Sequence, residues 1–120
     1  MKPTNEELNT LAARLCGWKI GKVDRPYDWA LFDPSGKLMG YEDEPMQEYL
    51  FTRYAPDYCN RRDYLPEIWD EITRRKLRTY FYFDCFSGEP LGDWSRMTAD
   101  PRAHVEAFVK ACGEWKKEWE

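Results

Sequence analysis

Residues Leu77 to Phe86 read LRTYFYFDCF, ten positions with no glycine or proline and with apolar side chains on both alternating faces. A run this aromatic and this free of helix or turn signals is expected to be a strand. Leu77, Thr79, Phe81, Phe83 and Cys85 fall on one face, and Arg78, Tyr80, Tyr82, Asp84 and Phe86 on the other. Because the second face still carries three aromatic rings, the strand calls for cover on both sides. That requirement points to a sheet held between layers of helix.

The sequence offers helices for those layers. Thr4 with Glu7 three residues on forms a capping box, and Leu8, Leu11, Ala12, Leu15 and Cys16 follow at helical spacing up to Gly17. In Asp63 to Arg75, Leu65, Ile68, Trp69 and Ile72 make a single apolar stripe; Asp63 is the expected N-cap and places Pro66 at N3. Asp100-Pro101 opens a last helix whose buried stripe is Val105, Phe108, Val109 and Cys112.

Between the helices lie further strands. Trp18 to Val23 reads as one, with Gly21 as a candidate bulge, and Arg25 to Asp28 as a turn. Trp29 to Phe32 and Lys37 to Tyr41 flank Asp33-Pro34-Ser35-Gly36, a strong hairpin sequence. Glu42 to Pro45 reads as an acidic, solvated link, after which Met46, Tyr49, Leu50 and Tyr54 suggest a short helix or an aromatic-pinned loop. Ser87 to Pro90 turns the chain and Leu91 to Trp94 returns as a short edge strand. Together these elements predict an α+β fold: one domain over residues 1–120, an α-β-α sandwich with a mostly antiparallel sheet and helices on both faces.

Six Trp, 8 Tyr and 6 Phe are a heavy aromatic load for 120 residues; such rings can fill a core, and together with arginine they are also what binding surfaces are made of. The formal net charge of -4, from 22 acidic and 18 basic residues, argues against a nucleic-acid partner. No run is apolar enough to span a membrane and the amino-terminal residues MKPTNEEL lack an apolar signal region, so a soluble, cytoplasmic protein is expected. Cys16, Cys59, Cys85 and Cys112 stand one per element with no CxxC, as reduced small hydrophobes.

Catalytic chemistry finds little to rest on. His104 is the one histidine, and its place on the last helix reads as surface or rim; no GxSxG, Walker loop, GxGxxG or HExxH occurs. Glu67, Asp70 and Glu71 lie opposite the apolar stripe and read as a solvated face. No catalytic residue, metal ligand or cofactor is assigned. Arg61 and Arg62 oppose the dipole at a helix start, and with Tyr58 and Tyr64 they could hold a phosphate or carboxylate; pairing with Asp57 or Asp63 is the structural alternative. Trp94, Trp115 and Trp119 are candidates for an interaction surface, and the last two, set in a charged tail, for a homodimer contact.

The segments LAARLCGWK (residues 11–19), Pro56-Asp57-Tyr58 ahead of the Trp69 helix, and DPRAHVEAFVKAC (residues 100–112) resemble the phage ABA sandwich domain family. The resemblance implies an α-β-α sandwich encoded by a bacteriophage or prophage, with no reaction attached. Small size, aromatic excess and the lack of catalytic constellations then suggest a non-enzymatic accessory protein that binds a host protein in the bacterial cytoplasm, for host takeover or as an anti-defence inhibitor. The alternative is a binder or sponge for a phosphorylated or nucleotide small molecule.

Overall fold

The computed structural model describes residues 2–23, 29–43, 46, 49–77 and 100–120. Of the strand expected over Leu77 to Phe86 all but Leu77 lies outside the described residues, as do the turns expected at 25–28 and 87–90, the edge strand expected at 91–94, Cys85 and Trp94. Within them the fold is α+β, a single small domain of four helices and a three-stranded antiparallel sheet: α1 (Asn5–Leu15), β1 (Lys19–Lys22), β2 (Trp29–Phe32), β3 (Leu38–Glu42), α2 (Leu50–Tyr54), α3 (Leu65–Arg74) and α4 (Pro101–Ala111).

The helix ends follow from local chemistry. At α1 the capping box is made in full: the Glu7 N–H donates to Thr4 Oγ1 and the Thr4 N–H to Glu7 Oε1, both at 3.1 Å. At its other end Gly17, at φ +104°, closes a Schellman motif in which the Gly17 N–H donates to Arg14 O and the Trp18 N–H to Ala13 O. α4 ends on Gly113 with the same pair of bonds, and α3 ends on Lys76, the one non-glycine residue with positive φ among those described. Asp100 holds the N-cap position of α4 but makes no side-chain cap bond. Asp63 is not the cap of α3: Arg62–Tyr64 forms a 3-10 turn, Tyr64 takes the N-cap position, and Pro66 falls at N2. The correction is small in energy, since a proline in the first turn costs no helical hydrogen bond there.

In the sheet β2 is central, with Ile20 opposite Leu31 and Leu31 opposite Gly40. Consecutive residues Ala30 and Leu31 point to opposite faces, and both are fully buried, so the central strand is closed on both sides as WALF predicted. The hairpin between β2 and β3 forms at Asp33-Pro34-Ser35-Gly36, where Asp33 Oδ1 accepts from the Ser35 and Lys37 backbone N–H groups at 2.9 Å each. The bulge expected at Gly21 is absent; β1 pairs regularly, and the irregularity sits between Leu31 and Phe32 against β3. β3 also runs on through Glu42, which is buried and bound to Arg53 at 2.7 Å, not part of a solvated link.

One core joins the layers. Leu31 from the sheet packs with Leu50 of α2, Leu8 of α1, Ile68 of α3 and Phe108 of α4 in one continuous cluster. α1 and α4 lie side by side with their first turns joined: Arg102 in the first turn of α4 donates to Asn5 Oδ1 and to Pro3 O.

Candidate functional site

The four residues singled out as an anion site are near one another but do not build one. Tyr58 is fully buried, and its hydroxyl donates to Glu67 Oε2 at 2.7 Å, so it faces the interior. Burial, reinforced by the neighbouring Cys16 and Glu67, pushes that hydroxyl far above the ordinary phenol range. Tyr64 meets the Tyr58 ring edge-on at 6.0 Å, and its own ring lies 5.8 Å from the Arg61 guanidinium. Arg61 pairs with Asp63 at 2.8 Å, the structural alternative named from the sequence, and Arg62 is exposed on the 3-10 turn. Tyr58 therefore takes no part in a surface pocket.

The tryptophan surface is corrected at Trp119. Trp119 is buried in the core, and Trp115 packs against it edge-to-face at 5.1 Å with Lys110 4.6 Å from its ring. Buried Trp119 has little area to offer a second copy, whereas Trp115 keeps part of its surface.

The acidic face of α3 is not simply solvated. Asp70 is exposed, but Glu71 is buried and accepts from Arg74 Nε at 2.9 Å, from Arg74 Nη2, and from Arg75 Nε at 2.9 Å. Arg75 also donates to Leu15 O at 3.1 Å, tying the end of α3 to the end of α1. For Glu71, burial raises the pKa, but the hydrogen bonds from Arg74 and Arg75 outweigh it and leave the carboxyl below its ordinary 4.5. A depressed pKa means stability that is present above pH 4.5 and lost as pH falls through the folded value. Glu71→Gln is expected to cost about 1–2 kcal/mol near neutral pH and to flatten the acid limb of a stability–pH curve; urea midpoints from pH 7 down to pH 3 that keep the wild-type slope would contradict it.

Cys16 and Cys59 are poorly placed for nucleophilic work. Burial pushes Cys16 up to about 12, with Glu67 and Glu71 adding to it, and burial does the same to Cys59, also about 12. At neutral pH both are neutral S–H groups, and the thiolate is the reactive form. His104, expected at the surface, is fully buried on α4, edge-on to Trp69 at 5.8 Å. Among the described residues no group of three or more His, Cys, Asp or Glu could hold a metal ion, and no helix is long and apolar enough to cross a membrane.

Two surface features were not anticipated. The first is on α2, where Tyr49 and Tyr54 are 42% and 37% exposed. Here the Arg53 guanidinium lies 5.8 Å from the Tyr49 ring while bonded to Glu42, and the Tyr54 hydroxyl donates to the same Glu42 Oε1 at 3.3 Å. One buried carboxylate thus fixes an arginine and a tyrosine whose outer surfaces face solvent. The second is a cleft of about 850 Å³ between α3 and the β2–β3 turn, its wall formed by Ile20, Phe32, Pro34 and Cys16 on one side and Glu67, Asp70 and Glu71 on the other.

Comparison with protein-family models, with curated proteins and with solved structures returned no match.

Proposed function

We propose that this protein works by binding another protein and catalyses no reaction, in keeping with the accessory role in a bacteriophage or prophage that the resemblance implies. The partner would be a host protein in the bacterial cytoplasm. The observation that carries the proposal is the α2 surface. Tyr49 and Tyr54 are the kind of side chain from which interface hot spots are built, and Arg53 stacks on the first while anchored to a buried carboxylate. Groups already held in place lose little freedom on docking, which favours affinity. The protonated state of Cys16 and Cys59 and the engagement of Glu71 by two arginines support a non-catalytic reading. The phosphorylated-ligand alternative draws no support from Tyr58, which is buried, or from Arg61, which is paired.

The test is capture from host lysate with tagged protein, wild type beside Tyr49→Ala plus Arg53→Ala. Hot-spot truncations cost about 2 kcal/mol or more, so the double variant is expected to lose a specific partner at least ~30-fold. Failure to retain any protein at physiological salt, or equal retention by the variant, would overturn the assignment of this surface.

A further inference from the structure

The cleft beside α3 has a mostly apolar floor and an acidic flank, and that combination specifies its occupant. Ile20, Phe32 and Pro34 supply aliphatic and aromatic surface, which favours a guest with an apolar stem. The lining carries four carboxylates, Asp33, Glu67, Asp70 and Glu71, against two cations, Lys19 and Arg74; Glu71 is already paired with Arg74 and Arg75, and Asp33 is engaged by the Ser35 hydroxyl and backbone of its own turn. Glu67 and Asp70 remain. They stand three residues apart on α3, so the two residues occupy neighbouring positions on the helix surface. Glu67 is also oriented, because the buried Tyr58 hydroxyl holds Oε2 at 2.7 Å.

We infer that this cleft receives an arginine side chain from the partner protein, with the methylenes over Ile20 and Pro34, the guanidinium between Glu67 and Asp70, and Phe32 beside it. Arginine suits the site better than lysine because its planar fork can address two carboxylates at once and can also lie on an aromatic ring. This inference rests on the protein-binding reading above and adds the chemistry of the guest.

The experiment is a backbone NMR titration of the full chain with a capped peptide, acetyl-Ala-Leu-Arg-Leu-Ala-amide, beside the same peptide carrying citrulline, the neutral isostere of arginine. Expected are shifts at Ile20, Phe32, Glu67 and Asp70 with the arginine peptide, weakened at least ~10-fold by citrulline and by Glu67→Gln plus Asp70→Asn. Glutamine at 67 can still accept from Tyr58 and residue 70 is exposed, so this variant is expected to fold. Equal binding of the citrulline peptide, shifts confined to other surfaces, or an unchanged titration with the variant would overturn the inference. Concentration-dependent shifts at the same residues without peptide would do so as well, by making a second copy the occupant. If lysate capture depends on Tyr49 and Arg53 but survives Glu67→Gln plus Asp70→Asn, the cleft proposal falls while the protein-binding reading stands.

Discussion

Phe108→Ala is expected to remove about 3–5 kcal/mol of folding stability, a large share of the roughly 5–15 kcal/mol that holds a domain of this size together. Phe108 is fully buried on α4 and belongs to the cluster that α1, α3 and the sheet share. Truncation removes its transfer free energy and leaves a void that elements on several sides would have to close. Phe108→Leu, which keeps most of the volume, should cost far less. Urea unfolding of the three proteins would decide the matter. A loss below 1 kcal/mol for the alanine variant would mean that α4 is not the wall of the core that its burial indicates.

The second large effect is expected from adding one carbon. Gly40 is buried in β3 opposite Leu31, and a Cβ built there would lie 2.3 Å from both Cγ and Cδ2 of the Tyr54 ring. The clashing atoms belong to the root of the ring, close to the α2 backbone, so a change of rotamer at the far end gives no relief. Either the ring leaves its site, breaking the bond from its hydroxyl to Glu42, or α2 shifts on the sheet. Overpacking of this kind costs about 1–3 kcal/mol, and Gly40→Ala is placed at the upper end because the contact is so short. The cause is separable by a double-mutant cycle. In a Tyr54→Ala background the cost of Gly40→Ala should fall to a few tenths of a kcal/mol, and additive costs would show that the close ring is not responsible. Since Tyr54 also belongs to the proposed binding surface, Gly40→Ala should weaken partner capture even where the protein remains folded.

The elements that could be read from the sequence are those whose local chemistry and tertiary environment agree. α1 carries its cap, its stripe and its terminating glycine within fourteen residues of chain, Thr4 to Gly17, and the Asp33–Gly36 turn supplies its own hydrogen bonds. The misreadings share a different cause. Glu71 lies only about 60° around α3 from Ile68, near the edge of the buried arc, and the two arginines three and four positions later make its burial tolerable. A Glu followed by Arg-Arg at that spacing is a readable signal, but only for a helix end that packs inward. His104 was missed because α4 is buried over a far wider arc than its stripe of Val105, Phe108, Val109 and Cys112, with Ala107 and Ala111 letting neighbours approach.

The binding surfaces were harder still. Tyr49 and Tyr54 fit an inward stripe by spacing, yet in α2 it is Leu50 and Phe51 that turn inward. A five-residue helix has too few positions for its periodicity to choose between these phases. Tyr58 failed in the opposite sense: beside Arg61 and Arg62 it looked like part of a polar rim, and nothing local reveals that its hydroxyl reaches Glu67 nine positions on. The cleft draws its walls from α3 and from the end of the sheet, so no single stretch of chain announces it.

The pairing of α1 with α4 bears on how the chain reaches its native state. Arg102 joins Asn5 across 97 positions, and the two helices share one hydrophobic cluster. Contacts of such long range raise contact order and slow the search for the native topology. During synthesis α1 would emerge with its apolar stripe exposed and wait for the ribosome to deliver the segment that shields it, an interval in which a chaperone or a neighbouring nascent chain could compete for the same face.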